Sequence, residues 1–169
     1  MSSLPSRRFY LVRHAEKAWS NGRKANTKEG HQHDPPLKDP SSCKTFQATL
    51  KQLEGVEFDY IHCSPFLRTR ETLALITVDE KAILSPAIGE YLGNHRKGKL
   101  DLSPITASHY SDLTALATET IKQLQHRVDL FLSHLPKTGT FLIVSHGLVL
   151  YNICGRKLDE GEMYTFTLE

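Results

Sequence analysis

Two short apolar runs, Phe9-Tyr10-Leu11-Val12 and Phe141-Leu142-Ile143-Val144, each lead into a histidine motif, Arg13-His14 after the first and Ser145-His146-Gly147 after the second. A continuous apolar run bounded by turn-like sequence reads as a strand buried on both faces, the kind found at the centre of a parallel sheet. A third run, Tyr60-Ile61-His62-Cys63, opens into Ser64-Pro65-Phe66-Leu67-Arg68 and a helical pattern. Strands that alternate with helical stretches predict an α/β sandwich with a largely parallel sheet. In open sheets of this class, ligands bind at the carboxyl ends of the strands. Right-handed crossovers then bring the ends bearing His14, Ser64 and His146 to one edge. A guanidinium beside an imidazole at such an edge suits an anion, and phosphate is the first to consider. Either motif alone would read equally well as a surface polar pair.

The rest of the chain fills in around those strands. Met1 to Ser6 is a short lead-in that should be frayed. Residues 19–40 hold several Gly and Pro and almost no periodicity, which predicts a long loop, and such loops are usually functional. Ser41 or Ser42 would cap a helix with Phe46, Leu50 and Leu53 at helical spacing, stopped by Gly55. Asp59 to Cys63 is the second strand, and Pro65 suits the start of the helix carrying Leu67, Leu73 and Ile76. Ile83-Leu84 begins a short strand, and residues 92–106 form a second loop over the site. Apolar residues from Leu113 to Leu135 predict one long amphipathic helix over about 110–135. A short helix after His146 should end at Gly155, and Tyr164 to Leu168 alternates as an edge strand.

A chain of 169 residues with 39% apolar and 24% charged content reads as one globular domain over 1–169. Its formal net charge of +2 is too small to imply nucleic-acid binding. No apolar run approaches a membrane span, and the N-terminus lacks a hydrophobic signal core, so a cytoplasmic location with no membrane partner is expected. The three cysteines, Cys43, Cys63 and Cys154, have no metal-like spacing and read as reduced thiols, the last two buried. Charge is uneven: residues 1–33 carry Arg7, Arg8, Arg13, Lys17, Arg23, Lys24 and Lys28 against Glu16 and Glu29. That excess would either attract anions or form a solvated basic loop.

Arg-His, Ser-Pro-x-x-Arg and Ser-His-Gly, in this order, resemble the histidine phosphatase superfamily, which includes phosphoglycerate mutases and small phosphohistidine phosphatases. The resemblance runs from Phe9 to about Gly155, and it implies a three-layer αβα sandwich of the phosphoglycerate mutase-like kind. It also implies hydrolysis of a phosphomonoester or phosphoramidate without metal or other cofactor. His14 would be the nucleophile that carries the phosphoryl group, Arg13 and Arg68 would clamp its oxygens, and His146 would stabilise it as a cation. Glu90, in Ile88-Gly89-Glu90, matches the family's general acid, and its apolar surroundings would raise its pKa. Glu16 competes for that role by its closeness to His14. Lys17 stands where some members place an arginine, as a phosphate contact or a rim lysine. Glu119-Thr120 and Arg127 match a family helix motif in spacing. Departures are Ala15 for the family's glycine after Arg-His, Thr118 for another glycine, and the Pro40-Ser41-Ser42 region after Asp34-Pro35-Pro36-Leu37.

The implied partner is a phosphorylated small molecule or a phosphoprotein. Family mutases are longer and enclose their substrates, so mutase activity is the weaker option. A catalytically weak module that binds phosphorylated partners is the rival. Two other patterns fit less well. Cys63 and Arg68 are separated by four residues, one short of a cysteine phosphatase loop, and Pro65 removes an amide donor. His31-Gln32-His33-Asp34 has no distant ligand cluster to complete a metal site. No Walker-type phosphate loop is present.

Overall fold

The computed structural model of the chain describes residues 6–18, 36–91 and 119–169. Most of both proposed loops, the His31–Asp34 pattern and the stretch 110–118 of the long helix fall outside the described residues.

Five strands form one sheet in the order β3-β2-β4-β1-β5, where β1 is Arg7–Arg13, β2 Tyr60–Cys63, β3 Ile83–Leu84, β4 Gly139–Ser145 and β5 Met163–Leu168. All neighbours pair in parallel except β5, which runs antiparallel to β1. The two histidine-bearing strands are adjacent and central, as their uninterrupted apolar character requires. Among the described residues four helices cover the sheet: α1 (Lys44–Leu53), α2 (Leu67–Ile76), α3 (Ile121–His134) and α4 (Gly147–Cys154).

Successive residues of β1 face opposite layers. Phe9 and Leu11, with Phe141 and Ile143, pack against Leu124 and Val128 of α3 and Val149 and Leu150 of α4. Tyr10 and Val12, with Leu142 and Val144, pack against Leu53 of α1 and Leu73 of α2. The result is the αβα sandwich. Across β2, β4, β1 and β5, the rings of Tyr60, Phe141, Phe9 and Phe166 stack at centroid distances of 4.9, 5.0 and 5.0 Å. They occupy directly paired positions, so the ladder pins the register far from the histidine ends.

Several element boundaries differ from those read in the sequence. Neither Ser41 nor Ser42 caps the helix: Asp39 caps a 3₁₀ turn, Pro40–Ser42, by accepting from Ser41 N at 3.0 Å, and the helix that follows has Cys43 at its N-cap without a side-chain hydrogen bond. Helix α1 starts only after Cys43, because Pro40 and Asp39 fix the preceding turn first. It ends as expected at Gly55, which has φ +73°. Helix α2 begins at Leu67 because Phe66 is extended, leaving Pro65 before the cap. Helix α3 starts at Ile121, where Thr120 is extended and forms a reciprocal capping box with Gln123, rather than running through from about residue 110 as one helix. Cys154 is partly exposed rather than buried, and among the described residues all three cysteines are free thiols. No described helix is long and apolar enough to cross a membrane.

Candidate active site

The three strand ends meet where the ladder stops. His14 N donates to Ser145 O at 3.0 Å and Ser64 N to Val144 O at 2.9 Å, so His14, Ser64 and His146 each follow directly on a paired strand. Polar residues here are buried: His14, Ser64, Arg68, Ser145 and His146 are all at most 5% exposed. Helix α2 contributes its polar face, burying Arg68, Thr69 and Thr72. Thr72 Oγ1 accepts from Ala15 N at 3.0 Å. The Ala15 methyl, where the family pattern has glycine, fits against Cys43 and Phe46.

His14 Nδ1 lies 2.8 Å from its neighbour's carbonyl, Ala15 O. A carbonyl only accepts, so Nδ1 carries the proton and Nε2 keeps its lone pair. Burial, together with Arg68 and His146, pushes the His14 pKa well below its usual value against the opposing pull of Ala15 O and Glu90, which keeps the ring neutral.

His146 stands beside it, with ring centroids 5.3 Å apart. Its Nε2 is 2.7 Å from Ser64 Oγ, and its Nδ1 is 3.3 Å from both Arg68 Nη2 and Glu90 Oε2. Those last two contacts need opposite states of Nδ1, a lone pair for Arg68 and an N–H for Glu90, so the ring's tautomer follows the charge placed beside it. The expectation of a cationic His146 does not hold for the protein alone. Burial lowers its pKa to about 4, more than Glu90 raises it.

Glu90 is also corrected. Burial does push its carboxyl up, but His146, then Arg68 and His14, outweigh that and hold it well below the usual carboxylate range. Arg68, a permanent cation, places Nη2 2.8 Å from Glu90 Oε2. The carboxyl is therefore ionised at neutral pH rather than protonated.

Arg13 approaches from β1. Its Nη1 donates to Leu158 O at 2.7 Å and its Nη2 is 3.7 Å from Glu160 Oε1, while its buried Nε has no hydrogen-bond partner among the described residues. Arg68 lies over the Phe66 ring at 5.0 Å, and Phe66 also meets His146 edge-on. Lys17 is half-buried at the rim; burial and then Arg68 lower its pKa, with Glu90 and Glu160 opposing, so it shares the field of the same cluster. Glu16 instead pairs with Lys38 at 3.1 Å in exposed surroundings.

Some contributors had little or no sequence signal. Gly147 leaves room for Arg13: a Cβ there would lie 3.1 Å from Arg13 Cζ. Leu158 and Glu160 reach Arg13 across about 145 residues of chain. Ser64 and Ser145 were visible as members of the Ser-Pro-x-x-Arg and Ser-His-Gly motifs, but with no role assigned to either. The Cys63 thiol is pushed up to about 12 by burial, which removes it as a thiolate nucleophile.

One nitrogen or oxygen each from His14, Glu90 and His146 lies within 4.8 Å of the others, a set that could hold a metal ion. Arg68 already donates to Glu90 and lies 3.3 Å from His146 Nδ1, so a cation would have to displace a guanidinium. An anion meets the opposite situation, with Arg13, Arg68 and Lys17 around two neutral imidazoles.

The family model described as histidine phosphatase superfamily (branch 1) matches residues 9–167. A search of curated proteins by sequence finds no match. Among solved structures, the alpha-ribazole phosphatase from Shigella flexneri is similar at 22% identity and TM-score 0.62, covering 94% of this chain and 89% of that one. The phosphoglycerate mutase from Thermus thermophilus is similar at 22% identity and TM-score 0.62, covering 94% and 91%. The phosphoglycerate mutase from Bacillus anthracis str. Sterne is 15% identical with TM-score 0.67, covering 98% and 89%. These likenesses are of fold. Their coverage also removes chain length as a way to tell this protein from those called mutases.

Proposed function

The chain belongs to the histidine phosphatase superfamily, and from that premise we propose that it hydrolyses a phosphomonoester or phosphoramidate through a phosphohistidine on His14, without a metal. The observation that carries this reading is the His14 ring: Nδ1 is committed to Ala15 O, which leaves a neutral Nε2 lone pair in the field of Arg68. The buried, unpartnered Arg13 Nε supports it, since an N–H held without an acceptor is suited to a phosphoryl oxygen.

In the proposed reaction, Arg13 and Arg68 grip the equatorial oxygens and Nε2 of His14 attacks phosphorus in line. The phosphorus–oxygen bond to the leaving group breaks as Glu90 passes a proton to that oxygen. A phosphoryl dianion beside Arg68 takes over the charge that kept Glu90 ionised, and its own negative charge favours the protonated acid, so substrate binding loads Glu90. The same dianion favours the His146 cation. Water then attacks the phosphohistidine, giving its proton back to Glu90, and phosphate leaves with His14 neutral again. The substrate is a phosphorylated small molecule or a phosphoprotein. The free thiols suit a reducing compartment, so we place the reaction in the cytoplasm.

The Arg68–Glu90 ion pair also favours a second reading, a module that binds phosphorylated partners without turnover. Release of phosphate from an aryl phosphate, with a chelator present and His14→Ala alongside, separates the two. Chelator-insensitive turnover lost in the variant supports the enzyme. Phosphate binding without turnover by the folded protein supports the module.

A further inference from the structure

Three consecutive carbonyls just before Glu90 are each taken by a side chain from another element. Arg127 Nη1 donates to Ala87 O at 2.6 Å and Nη2 to Gly89 O at 2.9 Å, while Ser145 Oγ donates to Ile88 O at 2.6 Å. The turn they hold is the 3₁₀ segment Pro86–Ile88, closed by Gly89 N to Pro86 O at 2.9 Å and tied to β2 through Ser85 N and Cys63 O at 2.8 Å. Arg127 is aligned in turn by Glu119, whose two carboxylate oxygens accept from Nε and Nη2. Glu119 is 3% exposed and sits directly before the Thr120 cap, so the start of α3, the guanidinium and the turn form one connected unit.

A buried ion pair is a weak source of net stability, because desolvating two charges offsets most of their attraction. What this pair supplies is direction. Resting on the reaction proposed above, we propose that Arg127, aligned by Glu119, is a positioning residue that fixes the turn preceding Glu90 and so aims its carboxylate at Arg68 and the departing oxygen. The guanidinium suits that work because its planar fork can serve Glu119, Ala87 O and Gly89 O at once. A lysine at 127 keeps the charge beside Glu119 but offers a single point donor, and the turn loses at least one of its holds.

The consequence is selective. A leaving group that needs a proton depends on where Glu90 stands, and an aryl oxide, stable as an anion, depends on it little. The test compares an alkyl phosphate with p-nitrophenyl phosphate on the full chain, using wild type, Glu90→Gln, Arg127→Lys and the double variant Glu119→Met/Arg127→Met. The double variant replaces the pair by apolar chains, a change that commonly leaves buried sites as stable or more so, and it keeps the test alive if Arg127→Lys folds poorly. We expect kcat/KM, which reports only the steps through transfer to His14, to fall about 10- to 100-fold on the alkyl ester in the Arg127 variants while the aryl ester changes less than about threefold, the pattern of Glu90→Gln. An equal loss on both esters, or no loss on either, in a variant that keeps its melting temperature overturns the positioning role alone. No turnover of either ester by wild type overturns the phosphatase reading and this role with it.

Discussion

Replacing His146 with glutamine should make the fold less sensitive to acid. Burial is the largest influence on this ring and lowers its pKa from 6.5 to about 4. Between those values the unfolded chain binds a proton that the folded protein refuses. Stability is therefore complete above about pH 6.5 and is lost as pH falls toward 4. The gap of 6.5 − 4 = 2.5, at about 1.4 kcal/mol for each pH unit, sets a ceiling of roughly 3.5 kcal/mol. By pH 5 about 2 kcal/mol of it should be gone. Stopping at pH 5 limits the part Glu90 plays, since its carboxyl is held well below the usual range in wild type and the substitution leaves its 2.8 Å pair with Arg68 in place. Glutamine can place its amide near Ser64 Oγ, which now meets Nε2. Urea unfolding of both proteins at pH 7.5 and pH 5.0 reads the effect. His62, shifted down by burial alone, is common to both, and the loss of His146 from beside His14 eases the downward shift there, in the same direction as the prediction. Wild type should lose about 2 kcal/mol more than His146→Gln over that interval. Equal losses would refute the claim that burial keeps His146 neutral.

Two further outcomes follow from the site. Gly147→Ala should cost about tenfold in kcat/KM, because its Cβ would press on Arg13 Cζ from 3.1 Å while Leu158 O holds Nη1 on the other side; steady-state kinetics with an aryl phosphate checks it, and unchanged kinetics would show that Arg13 yields freely. Glu90→Gln should lower alkyl-phosphate turnover by about 10²-fold or more, whereas Glu16→Gln, whose carboxylate pairs with exposed Lys38, should leave it within about twofold; parallel kcat measurements decide between them.

How much of this could be read from the sequence depends on distance along the chain. Phe9–Val12 and Phe141–Val144 announced central strands because residues buried on both faces leave no polar alternation, and the histidines came with them. The capping box at Thr120 and Gln123 was also written locally, but the apolar spacing from Leu113 onward masked it. The charge of Glu90 could not be read. Its apolar neighbours suggested a raised pKa, and only the fold brings Arg68, 22 residues away, within 2.8 Å of it. The hold of Leu158 and Glu160 on Arg13 is longer-range still and has no signature in spacing. Arg127 was visible as a motif, but its task, carrying the carbonyls of Ala87 and Gly89, belongs to the tertiary structure.

The central claim is that His14 accepts the phosphoryl group, and the direct measurement is to trap it. The protein would be mixed with a fast aryl phosphate substrate, quenched in alkali within the first turnover, and mapped by mass spectrometry beside His14→Asn. The account predicts an alkali-stable, acid-labile phosphate on His14 that forms and decays at rates consistent with turnover and is absent from the variant. Steady turnover with no phosphate on His14, or the same label in His14→Asn, would contradict it.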